Sequence, residues 1–155
     1  MLPPLVQHIC NNHVLVPKTS WIPPVLGRVK LNTDGSVLNG IAGMDMLLRD
    51  HLGVIIFSSC RFLGGSEDVL ETEILVLQEG ISLALQWSNL PIDVESDCLK
   101  AVAMVKSSET NLSKYSFITR KIKQSTEERD SSVTHIRRSG NSASHSMTNF
   151  GRANG

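Results

Sequence analysis

Aromatic side chains are scarce in this sequence, at 5% of 155 residues, so its core must rest on Leu, Ile and Val. Cysteine is sparse too. Cys10, Cys60 and Cys98 are odd in number and widely spaced, with no CxxC pair or neighbouring His at metal-ligand spacing, which argues against a disulfide framework or a thiolate zinc site. Buried thiols in a reducing compartment are the expectation. Net charge is missing as well: 15 Lys and Arg balance 15 Asp and Glu. The molecule as a whole therefore exerts no long-range pull on nucleic acid or an anionic membrane, and any such binding must come from a local patch. No stretch approaches the roughly 20 apolar residues that cross a bilayer. Met1 to Ser20 lacks the basic start, the apolar run and the cleavage site of a signal peptide. A cytoplasmic or nuclear protein with no membrane partner, and a monomer, is expected.

What is present suits one soluble domain, since 41% of residues are apolar and 19% charged. Residues 1–26 mix Pro3, Pro4, Pro17, Pro23 and Pro24 with isolated apolar residues and read as an extended leader, because proline denies helix and central strand an amide donor. Residues 27–155 form the domain. Val29, Leu31 and Thr33 alternate with Lys30, Asn32 and Asp34, the period of a strand, and Asp34-Gly35-Ser36 reads as its end. Met44–Leu48 and Val54–Phe57 give two more strands joined by Asp50-His51-Leu52-Gly53, completing an antiparallel meander.

Helical spacing follows. Leu70, Ile74, Leu77, Ile81 and Leu85 make an apolar stripe on a helix from about Glu67 to Trp87, and Gly80 within it suggests close backbone approach. Pro91–Ser96 reads as a strand, Cys98–Ser107 as a helix, and Asn111–Glu127 as another carrying Leu112, Tyr115, Ile118 and Ile122. Ser131–Ile136 gives one more strand and Asn141–Phe150 a final helix. The order is βββ-α-β-α-α-β-α. It implies an α/β fold with a mixed five-stranded sheet, an antiparallel three-stranded meander plus two parallel strands, and helices on both faces.

Asp34, Glu73 and Asp97 fall where this order brings element ends together. Convergent carboxylates suit a hard divalent cation, and a pair of such ions about 3.5–4 Å apart can clamp both oxygens of a phosphodiester displacement. Plainer readings exist for each. Asp34-Gly35 could be a turn aspartate, Glu73 a solvated helix residue, and Asp97 the N-cap of the following helix. Against solvation of Glu73, it lines up with Leu77, Gly80 and Ala84 on the packed side.

Several stretches together carry a resemblance. They are Trp21-Ile22-Pro23-Pro24, Gly27 through Ser36, Leu48 through Gly53, Glu73 with Leu77-Gln78-Glu79-Gly80, Val94-Glu95-Ser96-Asp97, and His135-Ile136-Arg137-Arg138 with Asn141 and His145. Over about Trp21 to Arg152 the chain resembles the plant ribonuclease H-like family related to retroelement reverse transcriptases. The resemblance implies a ribonuclease H-like fold and metal-dependent hydrolysis of RNA within a duplex. It implies Asp34, Glu73, Asp97 and His145 as catalytic and metal-holding residues for two Mg²⁺ or Mn²⁺ ions, with His145 where ribonucleases H have a fourth carboxylate. Asp45 stands where relatives usually have glycine, and the short loop Arg137 to Gly140 holds no mobile histidine.

Substrate contacts are expected from backbone near Gly35, Ser36 and Asn39 and from Arg137, Arg138 and Asn141. Arg152 is a further phosphate candidate, and Arg120, Lys121 and Lys123 are either a phosphate patch or a solvated helix face. The partner is an RNA/DNA hybrid or double-stranded RNA, since A-form geometry is read by shape and 2′-hydroxyls. His145, Asp45 and the short loop motivate a different function class, a catalytically weak or inactive duplex-RNA-binding module.

Overall fold

The structure is a computed structural model that describes residues 21–110 and 112–141. Its elements are β1 (Val29–Leu38), β2 (Ile41–Arg49), β3 (Ile55–Gly65), α1 (Val69–Trp87), β4 (Ile92–Ser96), α2 (Leu99–Lys106), α3 (Ser116–Glu127) and β5 (Ser132–His135), then a 3₁₀ turn, Arg138–Asn141. They build a mixed five-stranded sheet in the order β3-β2-β1-β4-β5. β1 to β3 pair antiparallel, while β4 runs parallel to β1 and β5 parallel to β4.

β1 is longer than its sequence pattern suggests, and Asp34 lies inside the strand instead of at its end. Pairing with β2 carries it on to Leu38 opposite Ile41. The reversal sits at Asn39 and Gly40, whose φ angles of 51° and 74° are those of a two-residue hairpin turn. β3 likewise outruns the expected Val54–Phe57, because β2 holds residues such as Ser58, Ser59 and Arg61 that lack a continuous apolar signal. The link between β2 and β3 folds as its composition implies: Oδ1 of Asp50 accepts the amides of Leu52 and Val54, and Gly53 takes φ 81°.

α1 starts at Val69, two residues after the expected Glu67. Asp68 is its cap, accepting the Glu71 amide at 3.0 Å. Ile74, Leu77 and Ile81 are fully buried, and Leu70 and Leu85 partly so. A Cβ on Gly80 would lie 3.1 Å from Thr33 Cγ2 and 3.2 Å from Leu31 Cδ2, so the helix and β1 approach as closely as glycine permits. The cap of α2 is Cys98, which corrects the reading of Asp97 as a cap and frees its carboxylate from that role. α3 begins at Ser116, and Leu112 is 91% exposed, outside any apolar stripe. The buried residues of α1, α2 and α3 join one core with Val29, Leu31, Met44, Met46, Leu48, Ile92, Val94 and Val133, so these helices share one face of the sheet. No described helix is long and apolar enough to cross a membrane. The helix expected over 141–150 lies outside the described residues except for Asn141.

Candidate metal centre

β4 pairs with β1 only as far as Thr33 opposite Ser96, and among the described residues the rest of that β1 edge has no strand neighbour. Side chains take its place. The Thr33 carbonyl accepts from Nδ2 of Asn141 at 2.9 Å, and the Gly35 amide donates to Oε2 of Glu73 at 3.2 Å. These two bonds bracket Asp34. Gly35 is required for the second one, since a Cβ there would stand 3.0 Å from the Glu73 amide nitrogen and 3.1 Å from its Cα.

Asp97 follows directly on β4, and its side chain is 6% exposed. Asp34, Glu73 and Asp97 each present an oxygen within 4.8 Å of the others. Asp34 and Glu73 are buried. Burial pushes the Glu73 carboxyl up to about 9, and the charges of Asp34 and Asp97 push the same way, against the Gly35 amide and Arg138. The Arg138 Nε lies 3.3 Å from Oδ2 of Asp97. Oxygen donors converging from a strand, a helix and a strand end fit a hard divalent cation, whose charge would offset both the burial and the repulsion that raise the Glu73 carboxyl.

Asp45 is directly across from Asp34 in the β1–β2 register and is fully buried, so it does not stand on the surface that a duplex would meet. It adds a carboxylate beside the cluster, outside the trio that converges. Ser36 is half-buried on β1. Asn39 is at the hairpin turn, about 16 Å from Asp34 at a strand rise of roughly 3.3 Å per residue, and is not brought to the carboxylates. Arg137 is exposed and lines a cavity of about 350 Å³ with Trp21, Lys30 and Glu95. Asn141, expected to touch substrate, is instead 1% exposed and bonded inside the protein. Arg120 and Lys121 are exposed on α3, whereas Lys123 donates to the Ser107 carbonyl. His145 and Arg152 lie outside the described residues.

A polar network beside the centre was not foreseen. Lys30 pairs with Glu95 at 2.7 Å and donates to the Ile22 carbonyl at 2.6 Å, Asn32 donates to Glu95 at 2.9 Å, and Arg49 donates to Asn32 at 2.8 Å. Trp21 lies under the Arg49 guanidinium, 3.7 Å from ring centroid to Cζ. Burial lowers the Arg49 pKa to about 10. Lys30 and Asn32 alternate with Val29 and Leu31 on the other face of β1, and both are buried. Cys98 is also close by, its thiol pKa raised by burial and by Glu73 and Asp97.

A family model described as reverse transcriptase-like matches residues 32–151. No curated protein matches the sequence. Among solved structures, RNase H1 from the halophilic archaeon Halobacterium salinarum superposes with a TM-score of 0.75 at 18% identity, covering 83% of this chain and 100% of that one. LC11-RNase H1, isolated from compost and solved in complex with an RNA/DNA hybrid, gives 0.67 at 18% identity over 82% of this chain and 99% of that one. The foamy viral protease-reverse transcriptase, also in complex with an RNA/DNA hybrid, gives 0.68 at 15% identity, covering 99% of this chain and 24% of that one.

Proposed function

From the premise that the chain belongs to the reverse transcriptase-like family and has the RNase H fold, we propose that it is a metal-dependent endoribonuclease hydrolysing RNA phosphodiester bonds within a duplex. The observation that carries this reading is the convergence of Asp34, Glu73 and Asp97 oxygens within 4.8 Å. These three residues, with His145, would hold two Mg²⁺ or Mn²⁺ ions. Bound there, such ions supply Lewis acidity that lowers the pKa of water and stabilises charge on phosphate oxygens.

The chain's own residues do the positioning. The Gly35 amide fixes the Glu73 carboxylate beside Asp34, and the buried setting excludes bulk water from both. Arg138, mostly exposed while paired to Asp97, is within reach of a phosphate at the carboxylates, and Gly35, Ser36 and Arg137 are further contacts in this reading. Water adds to phosphorus and the 3′-oxygen leaves as a hydroxyl, so one product ends in a 3′-hydroxyl and the other begins with a 5′-phosphate. The duplex is an RNA/DNA hybrid or double-stranded RNA, met in the cytoplasm or nucleus.

The test is purified protein with labelled hybrid and labelled double-stranded RNA across Mg²⁺ and Mn²⁺ titrations. Asp34→Asn and Asp97→Asn should each lower the cleavage rate by at least about a hundredfold, the scale for losing a central electrostatic group. Cleavage unchanged in both variants would sink the proposal. Duplex binding without metal-stimulated cleavage would favour a binding module instead.

A further inference from the structure

We infer that Asn141 is a positioning residue for Asp34, fastening the segment after β5 to β1 at the peptide immediately before that carboxylate. The inference rests on the nuclease reading above and assigns Asn141 no contact with substrate.

Three observations carry it. First, Asn141 is 1% exposed, so its amide is spent inside the protein and not on a ligand. Second, its orientation is dictated by its neighbours. Arg49 can only donate, and it donates to Oδ1 of Asn32 at 2.8 Å. Nδ2 of Asn32 must then face the acceptors, Oε2 of Glu95 at 2.9 Å and Oδ1 of Asn141 at 3.3 Å. That leaves Nδ2 of Asn141 aimed at the Thr33 carbonyl, which it reaches at 2.9 Å. Third, the Thr33 carbonyl lies at the end of the β1–β4 ladder, and among the described residues no strand continues that edge beyond it. A buried carbonyl left unsatisfied there is costly, so the strand would shift to satisfy it, and Asp34 is the next residue.

Asn141 and Glu73 therefore act on the same edge. One holds the peptide before Asp34, and the other holds the peptide after it. The network that orients Asn141 is anchored by two charged groups, Glu95 and Arg49, so the amide has one satisfied orientation rather than two. Removing the Asn141 side chain frees the carbonyl without touching any of the three convergent carboxylates, so a loss of cation affinity would report their geometry.

The experiment measures Mn²⁺ affinity of wild type, Asn141→Ala and Ile122→Val by calorimetry, with thermal melts and kcat and KM on the hybrid duplex. Ile122→Val truncates a core residue on α3 and controls for lost stability alone. Outer partners of metal ligands typically contribute about 10–100-fold to affinity. Asn141→Ala should weaken Mn²⁺ by at least about tenfold on that scale and lower kcat with KM for duplex little changed. Ile122→Val should keep wild-type affinity. Three results overturn the inference: unchanged Mn²⁺ affinity in Asn141→Ala, a raised KM with unchanged kcat, or an equal loss in Ile122→Val. A wild type that binds no Mn²⁺ overturns the nuclease reading and this inference with it, whereas normal wild-type binding with an unaltered Asn141→Ala overturns the inference alone.

Discussion

The backbone amide of Gly35 donates to the carboxylate of Glu73 across 3.2 Å, joining residues 38 apart in sequence. The bond ties α1 to the edge of β1 just where β4 ends, and it sets Glu73 against Asp34. Neither partner can be exchanged freely. Any side chain at Gly35 meets the backbone of Thr72 and Glu73 at 3.0–3.1 Å.

Gly35→Ala should accordingly disturb the centre more than its size suggests. The backbone of α1 cannot give way as a flexible side chain would, so a loss of about 1–3 kcal/mol is expected from overpacking. Cleavage and Mn²⁺ affinity should each fall at least about tenfold, the range for displaced supports of metal ligands. Denaturant melts and calorimetry on the variant check both, and wild-type metal affinity would refute the link.

The raised Glu73 pKa makes the metal-free protein sensitive to alkali. A carboxyl moved from its ordinary value near 4.5 up to about 9 binds a proton in the folded state that the unfolded chain has released. Stability from this group is thus present below about 4.5, falls across the window to about 9, and falls no further above it. Glu73→Gln should flatten that slope in metal-free melts. Divalent ion should restore stability most at high pH, and calorimetry in buffers of different ionisation enthalpy should show protons released on Mn²⁺ binding at pH 7. A metal-free slope identical in wild type and Glu73→Gln would contradict this account.

Trp21 lies beyond the family match yet packs on the sheet, with Arg49 over its ring, and a Cβ added at Gly53 would stand 3.4 Å from its Cζ3. Trp21→Ala removes the ring from a half-buried guanidinium and should cost about 1–3 kcal/mol. A chain begun at Gly27 should lose at least as much, because the Ile22 carbonyl that accepts from Lys30 goes too. Urea melts of the two proteins decide it; midpoints equal to wild type would show the packing to be energetically idle.

Gly80→Ala tests helix propensity against packing. Alanine gains about 1 kcal/mol over glycine in an exposed helix, but here its Cβ would press on Thr33 and Leu31 at 3.1 and 3.2 Å. Net destabilisation of about 1–2 kcal/mol is expected, since overpacking of a filled core exceeds the propensity gain. A variant more stable than wild type in urea would show that β1 yields.

Much of the site was legible because its signals are local. The apolar stripe of α1 names the face that carries Glu73 by helical period alone, and the strand before Asp97 shows in five residues, Ile92–Ser96. Where reading failed, the deciding partner was remote. Asp34-Gly35-Ser36 looks like a turn until β2 is laid beside it, and Leu112 looks like helix stripe until its side chain proves exposed. Asn141 reads as a substrate contact, and only the Thr33 carbonyl, 108 residues away, shows the bond its side chain makes.

Sequence by itself determined the order of strands and helices, the apolar faces that pack them, and the acidic residues available to a cation, because alternation, helical period and residue chemistry are properties of neighbours along the chain. Tertiary structure alone decided that Asp34 sits within a strand, that Asp45 lies opposite it, and that Gly35, Glu73 and Asn141 share one edge. Those facts depend on which strand lies beside which and where it stops, and pairing across space leaves no periodic trace in a single chain.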